Sequence, residues 1–148
     1  MLLLFGCATA ATWVGNSDMM PTTAMVAALL APLYLLLTFR VIGQRRSAKV
    51  AIGDGGDKVL TRLMRVHANF AETVPYALIL MGLAESMNAQ QRLLRIAGFC
   101  LVVGRYVHAY GVSQASETFM FRVTGMILTF VSIVVLALAC GLTSYGRV

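Results

Sequence analysis

The stretch LTRLMRVHANFAETVPYALILMGLA, residues 60–84, decides how this chain folds. Read as a helix at about 100° per residue, its first half gathers charged and amide side chains within an arc of roughly 80°. Beyond Pro75 the same face becomes apolar. The stretch therefore predicts one long helix with a polar first half and an apolar second half. The polar face consists of Lys58, just before the stretch, and Arg62, Arg65, Asn69 and Glu72.

The composition of the whole chain predicts that this helix lies in a membrane. Of the 148 residues, 59% are hydrophobic and 12% are charged, and the mean hydropathy is +0.79. A soluble domain ordinarily carries about 25% charged residues. The length accommodates about four spans of roughly 20 residues with short loops. The fold class expected is all-α, an integral membrane four-helix bundle without a separate soluble domain.

The net charge of +6 comes from basic residues that stand mostly at the ends of apolar runs. In such positions basic residues set the topology and contact anionic lipid head groups, so we do not predict nucleic acid as a partner. The loop after the first apolar run holds the densest basic cluster. The positive-inside rule predicts that this loop is cytoplasmic and that both termini lie outside. The cluster comprises Arg40, Arg45, Arg46 and Lys49.

The apolar runs predict where the spans lie. Residues 1–18 are expected to be a leader of uncertain structure, because their apolar run is too short to span and lacks a basic start. The bundle domain is predicted over residues 19–148, and Pro32 is expected to kink its first helix. The Gly/Asp-rich segment 53–57 is interpreted as a loop. The predicted first and fourth spans are Met19–Phe39 and Arg122–Tyr145, and the second and third helices are predicted over about Lys58–Met87 and Arg95–Gln114, with Ala115–Phe121 as the last link.

Metal chemistry is not predicted for this chain. Its three cysteines, Cys7, Cys100 and Cys140, are widely spaced in apolar surroundings and form no pairing or ligand pattern. Free cysteines in such surroundings behave as small hydrophobic residues. The two histidines, His67 and His108, do not make a metal site by themselves.

The arginines in the predicted helices outnumber the acids that could neutralise them. An arginine in a span costs at least about 2.5–3.5 kcal/mol unless it snorkels or pairs. One interpretation is an interhelical cluster in which Glu72 neutralises Arg65, Arg105 or Arg122. The other is a ligand with two carboxylates and one amine, with arginines holding the carboxylates and the glutamate holding the ammonium. Glutathione carries these groups and a thiol, whose pKa, ordinarily about 8.5, a neighbouring guanidinium lowers.

Three motifs resemble patterns of one family of membrane proteins. They are RVHANFAETVP at residues 65–75, GRYVHAYG at residues 104–111 and RVTGMILT at residues 122–129. In this order, they resemble the second, third and fourth helices of bacterial members of the MAPEG family, the membrane-associated proteins in eicosanoid and glutathione metabolism. The resemblance covers about residues 19–142.

The resemblance implies a homotrimer of four-helix protomers in the inner membrane, with glutathione bound between protomers near the cytoplasmic face. Arg122 matches an arginine that assists the glutathione thiolate, which makes it the expected catalytic residue. Ala68 replaces an arginine of prostaglandin E synthase, so a prostaglandin-specific role is not expected. Val112 replaces a glutathione-contacting tyrosine, for which Tyr106 and Tyr110 are candidate substitutes. The other expected glutathione-binding residues are Arg65, Asn69, Glu72, Arg105 and His108.

Three functions compete at this point. The first is a membrane glutathione transferase or peroxidase that uses glutathione as co-substrate, with no metal, on lipophilic electrophiles from the bilayer. The second is a non-catalytic family member whose polar cluster binds another thiol or an anionic lipid, or joins the helices. The third, an ion or solute carrier, is not favoured, because the sequence has no inverted repeat or pair of broken helices.

Overall fold

The computed structural model describes residues 19–113 and 119–146, which form four α-helices and no strand. The prediction of an all-α bundle is confirmed. The predicted leader, with Cys7, and most of the link before the fourth helix lie outside the described residues. The helices are α1 Pro21–Ala48, α2 Lys58–Ser86, α3 Gln91–Ser113 and α4 Phe119–Tyr145.

The helices α2 and α3 each contact all three of the other helices. The pair α2 and α3 separates α1 from α4, which do not touch each other within the described residues. Buried apolar side chains of all four helices form one continuous core. Its fully buried side chains include Leu30, Leu37, Met81, Leu94, Leu101 and Leu136.

Three of the helices, α1, α3 and α4, are long and apolar enough to cross a membrane. The helix α2 has 29 residues, a length of roughly 43 Å, but polar side chains occupy its first half. Its role as a fourth span stays a prediction. The polar half of α2 lies beside the end of α3 and the start of α4, where the candidate site is found.

The first helix is longer than the sequence predicted. The apolar run ends at Phe39, whereas α1 continues to Ala48 and includes three of the basic residues assigned to the following loop. A charged side chain ends an apolar run but not a helix, because arginine and glutamine are good helix formers. The helix ends at Lys49, which adopts a left-handed conformation with φ 54°. The helix therefore extends nine residues beyond the predicted span.

The same physical reason shifts the starts of two other helices. Polar residues precede the apolar run of α3, and Phe119–Phe121 precede the charged Arg122 of α4, but all of them already belong to the helices. The third helix begins at Gln91 rather than Arg95, and the fourth begins at Phe119 rather than Arg122. The predicted link to the fourth helix is therefore wrong over residues 119–121.

The loop between α1 and α2 is folded back and fixes the start of α2. Gly53, Gly55 and Gly56 have φ values of 74°, 58° and 79°, which non-glycine residues rarely adopt. The Asp57 carboxylate caps α2 by accepting from the backbone N–H groups of Val59 at 2.8 Å and Leu60 at 3.2 Å. These contacts orient the first turns of α2, which carry the polar face.

Candidate ligand-binding site

A cavity of about 640 Å³ opens between the polar half of α2, the end of α3 and the start of α4. The polar arc of α2 forms one wall, so the face identified in the sequence is the face that lines the cavity. Residues from α3 and α4 close the opposite side. The lining residues are Lys58, Thr61, Arg62, Arg65, Val66, Ala68, Asn69, Glu72, His108, Val112, Arg122 and Met126.

Positive charge dominates the lining. Among the described lining residues, four side chains are cationic and one, Glu72, is a carboxylate, so three positive charges are in excess. Arg65, Glu72 and Arg122 are exposed in the single chain. No hydrogen bond or ion pair of Glu72 occurs within the described part of the chain, so Glu72 does not neutralise any of the three arginines. The interhelical ion cluster considered from the sequence is therefore wrong for this protomer.

A fifth cation, Arg105, lies behind the lining and is fully buried, with 0% of its surface exposed. Its Nη1 donates to the Asn69 side-chain oxygen at 2.7 Å, and its guanidinium carbon lies 5.4 Å from the centre of the Phe70 ring. Within the described residues, its Nε and Nη2 have no hydrogen-bond partner. Buried polar groups are ordinarily paired, and an unpaired one in a native structure calls for an explanation.

The bond from Arg105 also sets what Asn69 offers to the cavity. An amide group has one accepting oxygen and one donating NH2. Because its oxygen accepts from the guanidinium, the NH2 group of Asn69 is left to donate to a ligand. The buried arginine therefore orients a lining residue in addition to supplying charge.

His108 and Arg122 come together where α3 crosses α4. His108 Nδ1 lies 3.3 Å from the backbone carbonyl oxygen of Arg122. A carbonyl oxygen only accepts, so Nδ1 carries the hydrogen, and Nε2 of the neutral ring has a free lone pair. His108 is buried and lines the cavity. It therefore presents an acceptor beside the exposed guanidinium of Arg122.

Glycines make this close crossing possible. A Cβ on Gly125 would lie 2.6 Å from both the Gly104 carbonyl oxygen and the His108 amide nitrogen, and a Cβ on Gly111 would lie 2.7 Å from Phe121 Cβ. Any larger residue would push the helices apart. The glycines in the third- and fourth-helix motifs thus hold His108 against the first turns of α4.

Two of the expected glutathione-binding residues lie elsewhere. Tyr106 and Tyr110 are 44% and 58% exposed and project from the α1 side of α3, away from the cavity. The Tyr106 hydroxyl donates to the Leu29 carbonyl oxygen at 3.1 Å, and the Tyr110 ring meets Phe121 edge to face at 5.8 Å. The structure therefore brings together Arg65, Asn69, Glu72, His108 and Arg122, with Arg105 behind them, but not the tyrosines.

His67 also faces α1 rather than the cavity. Its Nε2 lies 3.0 Å from the Thr38 hydroxyl oxygen, and its ring packs on Tyr34 at 5.3 Å. The Thr38 hydroxyl donates to the Tyr34 carbonyl oxygen at 2.9 Å, so it accepts from His67. These contacts join α1 to α2. The described residues contain no group of three His, Cys, Asp or Glu side chains that could hold a metal ion.

Comparison with known proteins assigns the chain to a family. The sequence model of the MAPEG family matches residues 23–142, a range that includes every residue lining the cavity. The chain belongs to the MAPEG family.

Among MAPEG-related sequences, the chain is similar to the inner membrane protein YecN of Escherichia coli (strain K12). The two are 34% identical over 117 residues, which cover 79% of this chain and 88% of the relative. The inner membrane protein YecN of Escherichia coli O6:H1 (strain CFT073) matches with the same identity and coverage. Together with three apolar helices of spanning length, this similarity identifies an integral inner-membrane protein.

The MAPEG motif alone does not account for the whole cavity. Lys58, Thr61 and Arg62 also line it, one and two turns before the motif begins at Arg65. Lys58 and Arg62 belong to the polar arc of α2, so the helical periodicity of the sequence identifies them as site residues. Ala68 and Val112, the two departures from the family pattern, are lining residues as well.

Proposed function

We propose that this MAPEG protein is a membrane glutathione transferase or peroxidase that binds glutathione in the cavity and activates its thiolate toward lipophilic electrophiles. The observation that carries the proposal is the excess of positive charge among the described cavity residues, together with the buried Arg105 guanidinium, two of whose nitrogens lack partners in the described part of the chain. A ligand with more than one negative charge would satisfy both features.

The polar groups of the cavity match those of glutathione in kind. Arg65 and the nitrogens of Arg105 are suited to carboxylates, Glu72 to the ammonium group, and the NH2 of Asn69 to a peptide carbonyl. Glutathione as a thiolate carries a net charge of about −2, which offsets most of the excess of three positive charges among the described lining residues. The match supports a thiol-containing peptide over a neutral ligand.

The pair of Arg122 and His108 supports the chemical step. A guanidinium beside the sulfur favours the thiolate, which is the reactive nucleophile. The free lone pair on His108 Nε2 can accept the thiol proton before it passes to water. With a chlorinated nitrobenzene, the thiolate sulfur forms a bond to the ring carbon and chloride leaves with the bonding electron pair. No metal is needed for this substitution.

We further propose a homotrimer in which a neighbouring protomer covers the cavity. Arg65, Glu72 and Arg122 are exposed in the single chain, although a ligand site gains strength when water is excluded from its charges. Coverage by a second copy would bury these side chains together with the ligand. Cross-linking of the purified protein in detergent measures this state, and a protein that stays monomeric contradicts it.

The second candidate is a MAPEG protein that binds another thiol or an anionic lipid at this cavity without catalysis. The observation in its favour is that both departures from the family pattern, Ala68 and Val112, line the cavity. Smaller side chains at these positions change the shape offered to the tripeptide. This candidate predicts that the cavity binds an anionic ligand but does not bind glutathione.

The deciding experiment is a melting curve of the detergent-purified protein with and without glutathione. A ligand that binds only the native state at 100 times its Kd stabilises the protein by about 2.7 kcal/mol. S-methylglutathione keeps both carboxylates and the ammonium but cannot form a thiolate. We expect it to raise the melting temperature as glutathione does, and we expect only glutathione to support conjugation of the chlorinated nitrobenzene.

Matched variants separate the site from general charge effects. Arg65→Gln is expected to abolish the glutathione-dependent melting shift, and Arg122→Gln is expected to lower conjugation while retaining binding. Arg95→Gln removes the same charge from an exposed position on α3 outside the cavity and is expected to behave as the wild type. Conjugation that is unchanged in Arg122→Gln refutes the role of that arginine, and the absence of any glutathione shift favours the second candidate.

A further inference from the structure

A second concave surface lies on the other side of α3, in the groove between α1 and α3, and shares no lining residue with the cavity. Its volume is about 240 Å³. Leucines of α1 and the rings of two tyrosines of α3 form its walls. The groove contains one charged residue, Arg40, at one end.

Two hydrogen bonds define the direction of this groove. At one end the Tyr106 hydroxyl donates to the Leu29 carbonyl oxygen at 3.1 Å. At the other end Arg40 Nη1 donates to the Ser113 hydroxyl oxygen at 2.6 Å. Both helices advance toward the Arg40 end, by about seven residues on α3, which corresponds to roughly 10 Å. The groove is thus an apolar channel along the helices with a guanidinium at its end.

The depth of Arg40 suits a lipid phosphate. It lies eight residues before the end of α1 at Ala48, which is roughly 12 Å at 1.5 Å per residue. That end leads into the basic loop, which the positive-inside rule assigns to the cytoplasm. Arg40 therefore lies near the boundary between head groups and hydrocarbon, where arginine side chains meet lipid phosphates.

The protein leaves most of this guanidinium unused. One nitrogen of Arg40 donates to Ser113, and the described part of the chain offers it no carboxylate. A guanidinium has five N–H donors and matches the geometry of phosphate. Its half-buried position beside apolar side chains makes a phosphate oxygen a better partner than bulk water, which is scarce at this depth.

We propose that this groove binds one anionic phospholipid of the cytoplasmic leaflet, with its phosphate on Arg40 and one acyl chain along the apolar channel. The charge complements an anionic head group, and the channel has room for part of a single chain but not for a helix. Tyr106 and Tyr110, which are absent from the cavity, form the wall against which the chain lies.

The head-group contact is tested by lipid binding to the delipidated protein, measured by native mass spectrometry. Phosphatidylglycerol and phosphatidylcholine with identical acyl chains serve as probes. We expect the wild type to prefer phosphatidylglycerol by about fivefold, the effect of one arginine near an anionic lipid, and Arg40→Gln to lose that preference. Arg46→Gln, which removes the same charge from an exposed position outside the groove, is expected to keep it. An equal loss in both variants overturns the site, because it indicates unspecific attraction.

The acyl-chain contact is tested with a pair of tryptophan variants on α1. Leu36 lines the groove and is 54% exposed, whereas Leu35 is 51% exposed and does not line it. Leu36→Trp fills the channel and is expected to weaken binding of both lipids severalfold, while Leu35→Trp is not. Equal binding by both variants overturns the chain placement. Glycerol phosphate, which has no chain, is expected not to compete, and competition by it overturns the proposal.

A purely structural role for Arg40 predicts a different pattern. Ser113→Ala removes the bond between α1 and α3 but keeps the guanidinium, so we expect it to retain the preference for phosphatidylglycerol. If Arg40→Gln lowers the melting temperature as Ser113→Ala does and both keep the preference, Arg40 only joins the two helices and the proposal fails.

Discussion

Two buried charged side chains at opposite ends of the bundle, Glu85 and Arg105, have contrasting hydrogen bonding. Glu85, near the end of α2, is 4% exposed, and its two oxygens accept three hydrogen bonds. These come from the backbone N–H of Thr22 at 2.9 Å and from the N–H and hydroxyl of Thr23 at 2.8 and 2.7 Å. Arg105, at 0% exposure, makes one hydrogen bond to the described residues, which leave two of its nitrogens without partners.

The difference distinguishes a structural charge from one held for a ligand. Glu85 caps the start of α1, whose own N-cap residue, Met20, has no capping side chain. Both of its oxygens accept hydrogen bonds from within the chain. Arg105 is fixed by Asn69 and Phe70 but is only partly satisfied, and it lies behind a cavity lined by further cations. A buried charge that the chain itself does not satisfy lowers stability, which a bound anion would restore.

Removing Glu85 is expected to have the largest effect on stability. Glu85→Leu leaves two backbone N–H groups at the start of α1 without acceptors, so we expect a loss of roughly 2–4 kcal/mol in the free energy of unfolding. Glu85→Gln keeps one accepting oxygen and is expected to lose about half as much. Melting curves in detergent measure both. A change in the glutathione-dependent shift, rather than in the melting temperature alone, would contradict a purely structural role.

The next effect comes from the helix crossing that supports the half of the bundle around Arg105. In Gly125→Ala the new Cβ would lie 2.6 Å from backbone atoms of α3, so we expect a loss of about 1–3 kcal/mol in unfolding free energy. Gly141→Ala, in the same helix with no atom within 4 Å, serves as the matched control. It is expected to be neutral or slightly stabilising. Equal melting temperatures for the two variants would contradict the close packing of α3 against α4.

Substitution of Arg105 tests the contrast directly. Arg105→Met keeps the length of the side chain and removes a charge that the chain only partly satisfies. We expect the unfolding free energy of the ligand-free protein to change by less than about 1 kcal/mol, whereas the glutathione-dependent melting shift is lost. A destabilisation as large as that of Glu85→Leu would indicate that Arg105, like Glu85, serves to stabilise the fold. That result would remove the basis of the proposed function.

The smallest effect concerns a half-buried carboxylate at the start of α2, in contrast to both buried groups. The Gln44 side chain, followed by the backbone N–H groups of Leu60 and Val59, lowers the pKa of Asp57 below its ordinary value of 3.8. This contribution to stability is therefore complete above about pH 4 and is lost as the pH falls through the lowered pKa. Asn is also a good N-cap but cannot ionise, so Asp57→Asn is expected to melt slightly below the wild type at neutral pH and to show a smaller decrease in melting temperature below pH 4. Identical acid profiles would contradict this assignment.

Most of the fold follows from the pattern of apolar runs, and the cavity wall follows from helical periodicity. The arc through Arg65, Asn69 and Glu72 lines the cavity because residues three and four apart share a helix face. The same helical period places Tyr106 and Tyr110 on the opposite face of α3 from His108. Each tyrosine is two residues from His108, which corresponds to a rotation of about 200° around the helix axis. The tyrosines therefore lie on the α1 side of α3, although the resemblance had suggested them as ligand contacts.

Other features have no local signal in the sequence. Glu85 caps backbone N–H groups more than 60 positions away, and no motif around residue 85 indicates this contact. The groove on the α1 side depends on which faces of α1 and α3 meet, and Arg40 by itself resembles any arginine at the end of a span. Helix ends differ from the predicted ones because helix propensity and turn geometry, rather than hydropathy, decide where each helix stops.

The contact of Glu85 with the start of α1 has a consequence for biosynthesis. The ribosome completes α1 well before it adds residue 85, so the first turn of α1 is inserted into the membrane without its acceptor. The amide groups of that turn meet the Glu85 carboxylate only when the far end of α2 packs against the start of α1. The first two helices therefore mature as one hairpin, and a chain interrupted before residue 85 is expected to retain α1 in an incompletely folded form.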